Sequence, residues 1–231
     1  LKHKIRITGD YPDKYVTAKI NFQENNDAFV IVTEVENLGK EDIKEIKTKY
    51  YVNNEETLLV DLESETESLG QGENKLLKAS LDKNYLEKGE FEVLAKVEYD
   101  GQVIEVIKNL LYGKPEVEVT YFDRYLTSGI INPYTLELLN KWNKKVENVF
   151  VDVLVNKKDE KGSLEEVDSF RTKSIDVSAF TREKIQDYYN AEDKSNGEYI
   201  FSMVVNFWNT YKMEQKEFKV TLLSEDESIN L

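Results

Sequence analysis

Apolar residues recur at every second position through much of the chain. From Ile46 to Val52, the residues Ile46, Thr48, Tyr50 and Val52 fall on one face, with Lys47 and Lys49 on the other. Val149, Val151, Val153 and Val155 repeat the pattern with Asp152 opposite. Phe91, Val93, Ala95, Val97 and Tyr99 alternate with Glu92, Leu94, Lys96 and Glu98. A period of two is that of a strand with one buried face. Turn residues separate the runs. Asp100-Gly101 is a two-residue hairpin signal, because such a turn needs positive φ at its centre. Asn37-Leu38-Gly39-Lys40 and Asn53-Asn54 also read as turns. Many strands bounded by turns predict an all-β fold of the sandwich type. The clearest helical pattern runs from Thr181 to Asn190, with Thr181 as the cap and Ile185, Tyr188 and Tyr189 near one face. It is read as a short helix in an insertion near 180–195.

The runs repeat. Gly89, Glu90 and Phe91 match Gly197, Glu198 and Tyr199, and Val93, Ala95, Val97 and Tyr99 match Phe201, Met203, Val205 and Phe207, always 108 positions apart. An earlier block aligns at 103: Asn37 with Asn140, Ile43 with Val146, Ile46 with Val149, Tyr50 with Val153 and Val52 with Val155. The change of offset is assigned to the expected insertion. Two ordered blocks with turn residues in register predict two tandem β-sandwiches, 1–113 and 114–231, joined near Gly113-Lys114-Pro115. So short a joint predicts an elongated, end-to-end pair.

These residues resemble the immunoglobulin-like modules of prokaryotic surface proteins, above all the CARDB type and the repeats of archaeal surface-layer-like proteins. Val35-Glu36-Asn37-Leu38-Gly39 matches the family's strand ending in an Asn-x-Gly turn. Ile43 to Val52 matches its β-branched strand, Leu69-Gly70-Gln71-Gly72-Glu73 its polar turn, and Lys88-Gly89-Glu90-Phe91 the start of its long hairpin. The second copy keeps Asn140 but has Trp142 in place of Gly39, a departure at that turn. The resemblance implies a spacer, adhesive or assembly unit at the cell surface or outside the cell. A membrane link would then come only through an anchor outside this stretch. No Asn-x-Ser/Thr acceptor occurs, which runs against a heavily glycosylated surface protein.

Composition narrows the function classes. The 45 acidic and 31 basic residues give a net charge of −14, which repels a phosphate backbone and argues against nucleic acid as a partner. There is no cysteine, so thiol chemistry is excluded. One histidine, His3, near the N-terminus, excludes a multi-histidine metal site and a histidine-based triad, and is read as an exposed terminal residue. No Gly-x-Gly-x-x-Gly, P-loop or Gly-x-Ser-x-Gly pattern points to a cofactor or a nucleophile. Glu90 and Glu198 recur but read as solvated strand starts. Asp61 to Glu65 and Glu192 to Asn196 are the acidic stretches nearest to a calcium site, and neither matches a defined loop. The expectation is a protein that is not an enzyme and carries neither cofactor nor metal.

The outward faces of the repeated strand differ. Glu92, Lys96 and Glu98 face out in the first copy; Ile200, Val204 and Trp208 do so in the second. A strand apolar on both faces needs cover on both. That cover is either the segment carrying Ile185, Tyr188 and Tyr189, or the other domain, or an external partner. A protein partner or self-assembly is one expectation. A glycan, stacked on Trp208, Trp142, Tyr188 and Tyr189, is another, as is an accessory domain of a larger extracellular enzyme.

Overall fold

A computed structural model describes residues 11–159, 162–208, 211–213, 215–224 and 226. His3 lies outside the described residues. The chain divides into two compact units, Leu1–Gly113 and Lys114–Leu231.

Unit 1 is built from β1 (Val16–Glu24), β2 (Ala28–Asn37), β3 (Ile43–Asn54), β4 (Thr57–Glu63), β5 (Glu67–Leu69), β6 (Asn74–Asp82), β7 (Gly89–Tyr99) and β8 (Gln102–Tyr112). One sheet has the order β1-β2-β6. The other runs β4-β3-β7-β8, with β5 also paired to β3. Alternation decides which residues enter the core. Along β7, Phe91, Val93, Ala95, Val97 and Tyr99 are buried, Glu92 is exposed, and Leu94, Lys96 and Glu98 are partly exposed. Buried side chains from both sheets pack together, so the unit is two-layered. Asp100 and Gly101 take φ of 40° and 83°, the left-handed pair that closes the tight β7–β8 hairpin.

Unit 2 contains β9 (Val117–Phe122), β10 (Tyr125–Thr127), β11 (Ile131–Asn140), β12 (Val146–Lys158), β13 (Leu164–Arg171), β14 (Ile175–Val177), β15 (Arg182–Asn190), β16 (Gly197–Phe207), β17 (Tyr211–Lys212) and β18 (Lys216–Leu223). Its sheets repeat those of unit 1. The order β15-β11-β9 mirrors β6-β2-β1, and β13-β12-β16-β18 mirrors β4-β3-β7-β8, with β14 on β12 as β5 is on β3. Two strands are additions: β10, which pairs in parallel with β18, and β17, which pairs with the end of β16.

The expected helix over Thr181 to Asn190 is a strand. β15 pairs antiparallel with β11 from Ile131–Asn190 to Leu139–Arg182 without interruption. Ile185 and Tyr189 are four residues apart, and four positions return to the same face in a helix and in a strand alike. Tyr188 separates the two readings: it is 70% exposed while Tyr189 is 3% exposed. Nor is the segment an insertion. Ile43 pairs with Leu69 and Val146 with Val177, so the offset has already reached 108 by β14, before β15 begins. The extra residues lie around the β12–β13 hairpin.

Candidate functional site

The polar residues shared by the two units serve the fold. Asn37 ends β2, and its side chain is fully buried. Its Nδ2 donates to the carbonyls of Glu41 at 2.8 Å, Leu69 at 3.2 Å and Gly70 at 3.2 Å, and its Oδ1 accepts from Gly39 N at 3.0 Å. Asn140 does the same: Nδ2 donates to Lys144 at 2.8 Å, Val177 at 3.1 Å and Ser178 at 3.1 Å, and Oδ1 accepts from Trp142 N at 2.8 Å. The turn thus survives the replacement of Gly39 by Trp142. Gly39 is required in unit 1 because a Cβ there would lie 2.5 Å from Asp13 O and 2.6 Å from Tyr15 N.

Two further contacts recur. Ser64 Oγ accepts from Thr48 N, and Thr172 Oγ1 from Val151 N, each at 3.0 Å. Lys108 on β8 donates to Ile20 O at 3.0 Å, and Lys216 on β18 to Val119 O at 2.7 Å. Each lysine reaches from the last long strand of its unit to the first strand of the opposite sheet, and in unit 1 it stands on an edge strand, where a charge discourages pairing with another chain.

The outer faces of the larger sheets are where the units diverge. In unit 1 the ion pairs Lys47–Glu63 at 2.6 Å, Lys49–Glu98 at 2.8 Å and Lys96–Glu105 at 2.9 Å cross this face, beside exposed Val103, Ile107 and Leu111 of β8. The hydrogen bond from Lys49 holds the Glu98 carboxyl below its ordinary value, and Glu98 and Glu105 hold Lys49 and Lys96 above theirs. In unit 2 the matching positions read differently. Phe150 replaces Lys47, Asp152 replaces Lys49, Leu154 replaces Tyr51, Ile200 replaces Glu92, Val204 replaces Lys96 and Asn206 replaces Glu98. Lys158 still pairs with Glu198 at 3.6 Å at one end of this face, and a polar cluster remains at the other. Arg171 Nε donates to Asp152 Oδ1 at 2.7 Å, its guanidinium lies 4.3 Å from the Phe150 ring centre, and Asn206 Nδ2 donates to Asp152 Oδ2 at 3.1 Å. Beside it lies a shallow groove of 660 Å³, bordered by Leu154, Val204, Ser169, Ser202, Arg171 and Gln215. Leu154, Ile200 and Val204 are half-buried.

The six residues singled out from the sequence do not assemble into one site. Ile200 and Val204 share the outer face of β16. Trp208 stands past the strand end in a left-handed turn position, φ 49°, with its ring edge-on to Phe207 at 5.5 Å. Trp142 is 2% exposed and Tyr189 3%, so neither offers a ring face to a ligand. Tyr189 packs 5.3 Å from both Phe170 and Phe201, inside an aromatic cluster of the core. Burial pushes its phenol up, as it does that of Tyr134. Tyr188 is exposed, but on the opposite sheet. β15 therefore does not cover Ile200 and Val204. Phe150, Leu154, Asp152 and Arg171 are the members of this face that alternation along β16 alone misses. Aligning β12 on β3 exposes the first three, because Lys47, Lys49 and Tyr51 become Phe150, Asp152 and Leu154, whereas Arg171 lies on β13.

The acidic stretches serve local structure. Asp61 to Glu63 lie in β4 and Ser64 in the bridge just described, while Lys194 pairs with Asp193 at 2.9 Å and Asp168 at 3.4 Å. Among the described residues no three His, Cys, Asp or Glu side chains group to hold a metal ion, and no helix is long and apolar enough to cross a membrane.

No family model and no curated protein matches the chain. Solved structures to which it is similar include the transglutaminase of red sea bream, 10% identical, covering 90% of this chain and 31% of that one, with a TM-score of 0.35. They also include a Salmonella alpha-2-macroglobulin mutant, 9% identical, covering 94% and 17% with a TM-score of 0.32. The alpha-2-macroglobulin of E. coli in its native conformation is 11% identical, covering 90% and 17%, also at 0.32. The chain thus spans less than a third of each of these proteins.

Proposed function

We propose that the chain is a non-enzymatic interaction module: two immunoglobulin-like sandwiches, of which unit 2 carries a protein-docking face centred on Ile200, Val204 and Leu154. One observation carries this reading. The polar residues common to the two units are spent on turns, bridges and ties between sheets, and on the two central strands of the larger sheet unit 2 has half-buried Leu154, Ile200 and Val204 where unit 1 has Tyr51, Glu92 and Lys96. A surface module of the CARDB kind, at the cell surface or outside the cell, is the setting that the sequence resemblance suggests. The glycan reading keeps Trp208 and Tyr188 but loses Trp142 and Tyr189 to the core, so it stands second.

Photo-crosslinking from the native cell tests the docking face. A crosslinking residue at Val204 is expected to capture a partner, and one at Lys96, its equivalent in unit 1, is not. Equal capture from both positions, or none from either, would sink the reading. A glycan array probed with the same protein decides the second one.

A further inference from the structure

The two cores differ in one layer. In unit 2 the buried apolar residues form a single continuous group. In unit 1 they fall into two groups, one around Phe29, Ile31, Val52 and Phe91 and the other around Val35, Ile46, Leu69 and Val97. The break follows the strands. Along β2 the inward residues are Ile31, Thr33 and Val35; along β3 they are Ile46, Thr48 and Tyr50. Thr33 and Thr48 are both fully buried, and among the described residues neither hydroxyl makes a hydrogen bond of good geometry, although both lie close to the Tyr50 hydroxyl. The Tyr50 hydroxyl in the same layer donates to Leu77 O at 3.0 Å. At the equivalent positions unit 2 has Leu136, Val151 and Val153, all fully or almost fully buried.

A buried hydroxyl without a partner costs free energy, and it also withholds the contacts an aliphatic group would make. A layer of such groups across a core weakens the coupling between the halves on either side. Regions of low local stability open before the rest of a protein does. We propose that the layer of Thr33, Thr48 and Tyr50 makes unit 1 the part of the chain that opens first.

Native-state hydrogen exchange on the full chain, across a denaturant series, tests this. Core amides of β2 and β3 are expected to exchange at lower denaturant than those of β11 and β12. Thr33→Val and Thr48→Val keep the side-chain shape and remove the hydroxyl. Each is expected to slow exchange in unit 1 about tenfold and to leave unit 2 unchanged. Val151→Thr is expected to speed exchange in unit 2 by a similar factor. The proposal fails if the wild-type β11 and β12 amides exchange first or together with those of unit 1. It fails equally if the valine variants leave unit 1 exchange unchanged or faster, since the hydroxyls would then be satisfied within the fold.

Discussion

At the scale of single residues, this chain spends its shared polar groups on backbone. Asn37 and Asn140 each share two Nδ2 hydrogens among three turn carbonyls and accept from one turn amide. Buried polar groups are costly mainly when a partner is removed. Asn37→Ala is therefore expected to destabilise unit 1 by about 3 kcal/mol, and Asn140→Ala to do the same in unit 2. Asparagine to aspartate at either site is expected to cost at least as much, because a carboxylate cannot donate to three carbonyls. Urea unfolding of the full chain, followed separately in each unit by amide signals, measures both. An aspartate variant as stable as wild type would show that donation by Nδ2 is not what holds the turn.

At the scale of elements, β15 shows how far a sequence pattern carries. Its two core residues, Ile185 and Tyr189, satisfy both periods, and only the exposure of Tyr188 distinguishes them. The strand assignment makes a prediction that a helix packed through all three residues would not. Ile185→Ala is expected to cost about 2–4 kcal/mol, whereas Tyr188→Ala is expected to fall within about 0.5 kcal/mol of wild type. Thermal unfolding of the two variants checks it, and similar losses from both would restore the helical reading. The long strands were legible because β3, β7, β12 and β16 alternate over many residues. So was the Asp100-Gly101 hairpin, since its chemistry is local. The short parallel β10 was not legible, because it rests on Asn132 bonding to Thr127 and Ile130 and on pairing with a strand far along the chain. The outer face of unit 2 was half legible. Ile200 and Val204 follow from one strand, but Asp152 and Arg171 meet only through the pairing of β12 with β13.

At the scale of the whole molecule, a net charge of −14 is carried on two units that organise their carboxylates alike. In unit 1, Asp100 accepts from Lys14 Nζ at 2.6 Å and from Glu45 N at 3.0 Å, which holds its carboxyl below the ordinary 3.8. In unit 2, Asp176 accepts from Asn148 N and Lys145 Nζ, both at 3.1 Å, and is held down in the same direction. A carboxylate whose folded value is depressed stabilises the fold above its unfolded value, and that contribution disappears as pH falls through the folded one. Stability is therefore expected to hold from neutral pH down to about 4 and then to fall in both units. Asp100→Asn separates the local contribution from the global one. Asparagine tolerates the left-handed position at φ 40° and keeps an acceptor for the β3 amides, but it loses the charge. The variant is expected to be less stable than wild type at pH 7, with the gap in unit 1 closing below pH 4 and unit 2 unaffected throughout. Unfolding curves at pH 7, 5, 4 and 3 measure the gap. If it stayed constant down to pH 3, the ionised Asp100 would not be the source of the acid sensitivity, which would then belong to the charge of the molecule as a whole.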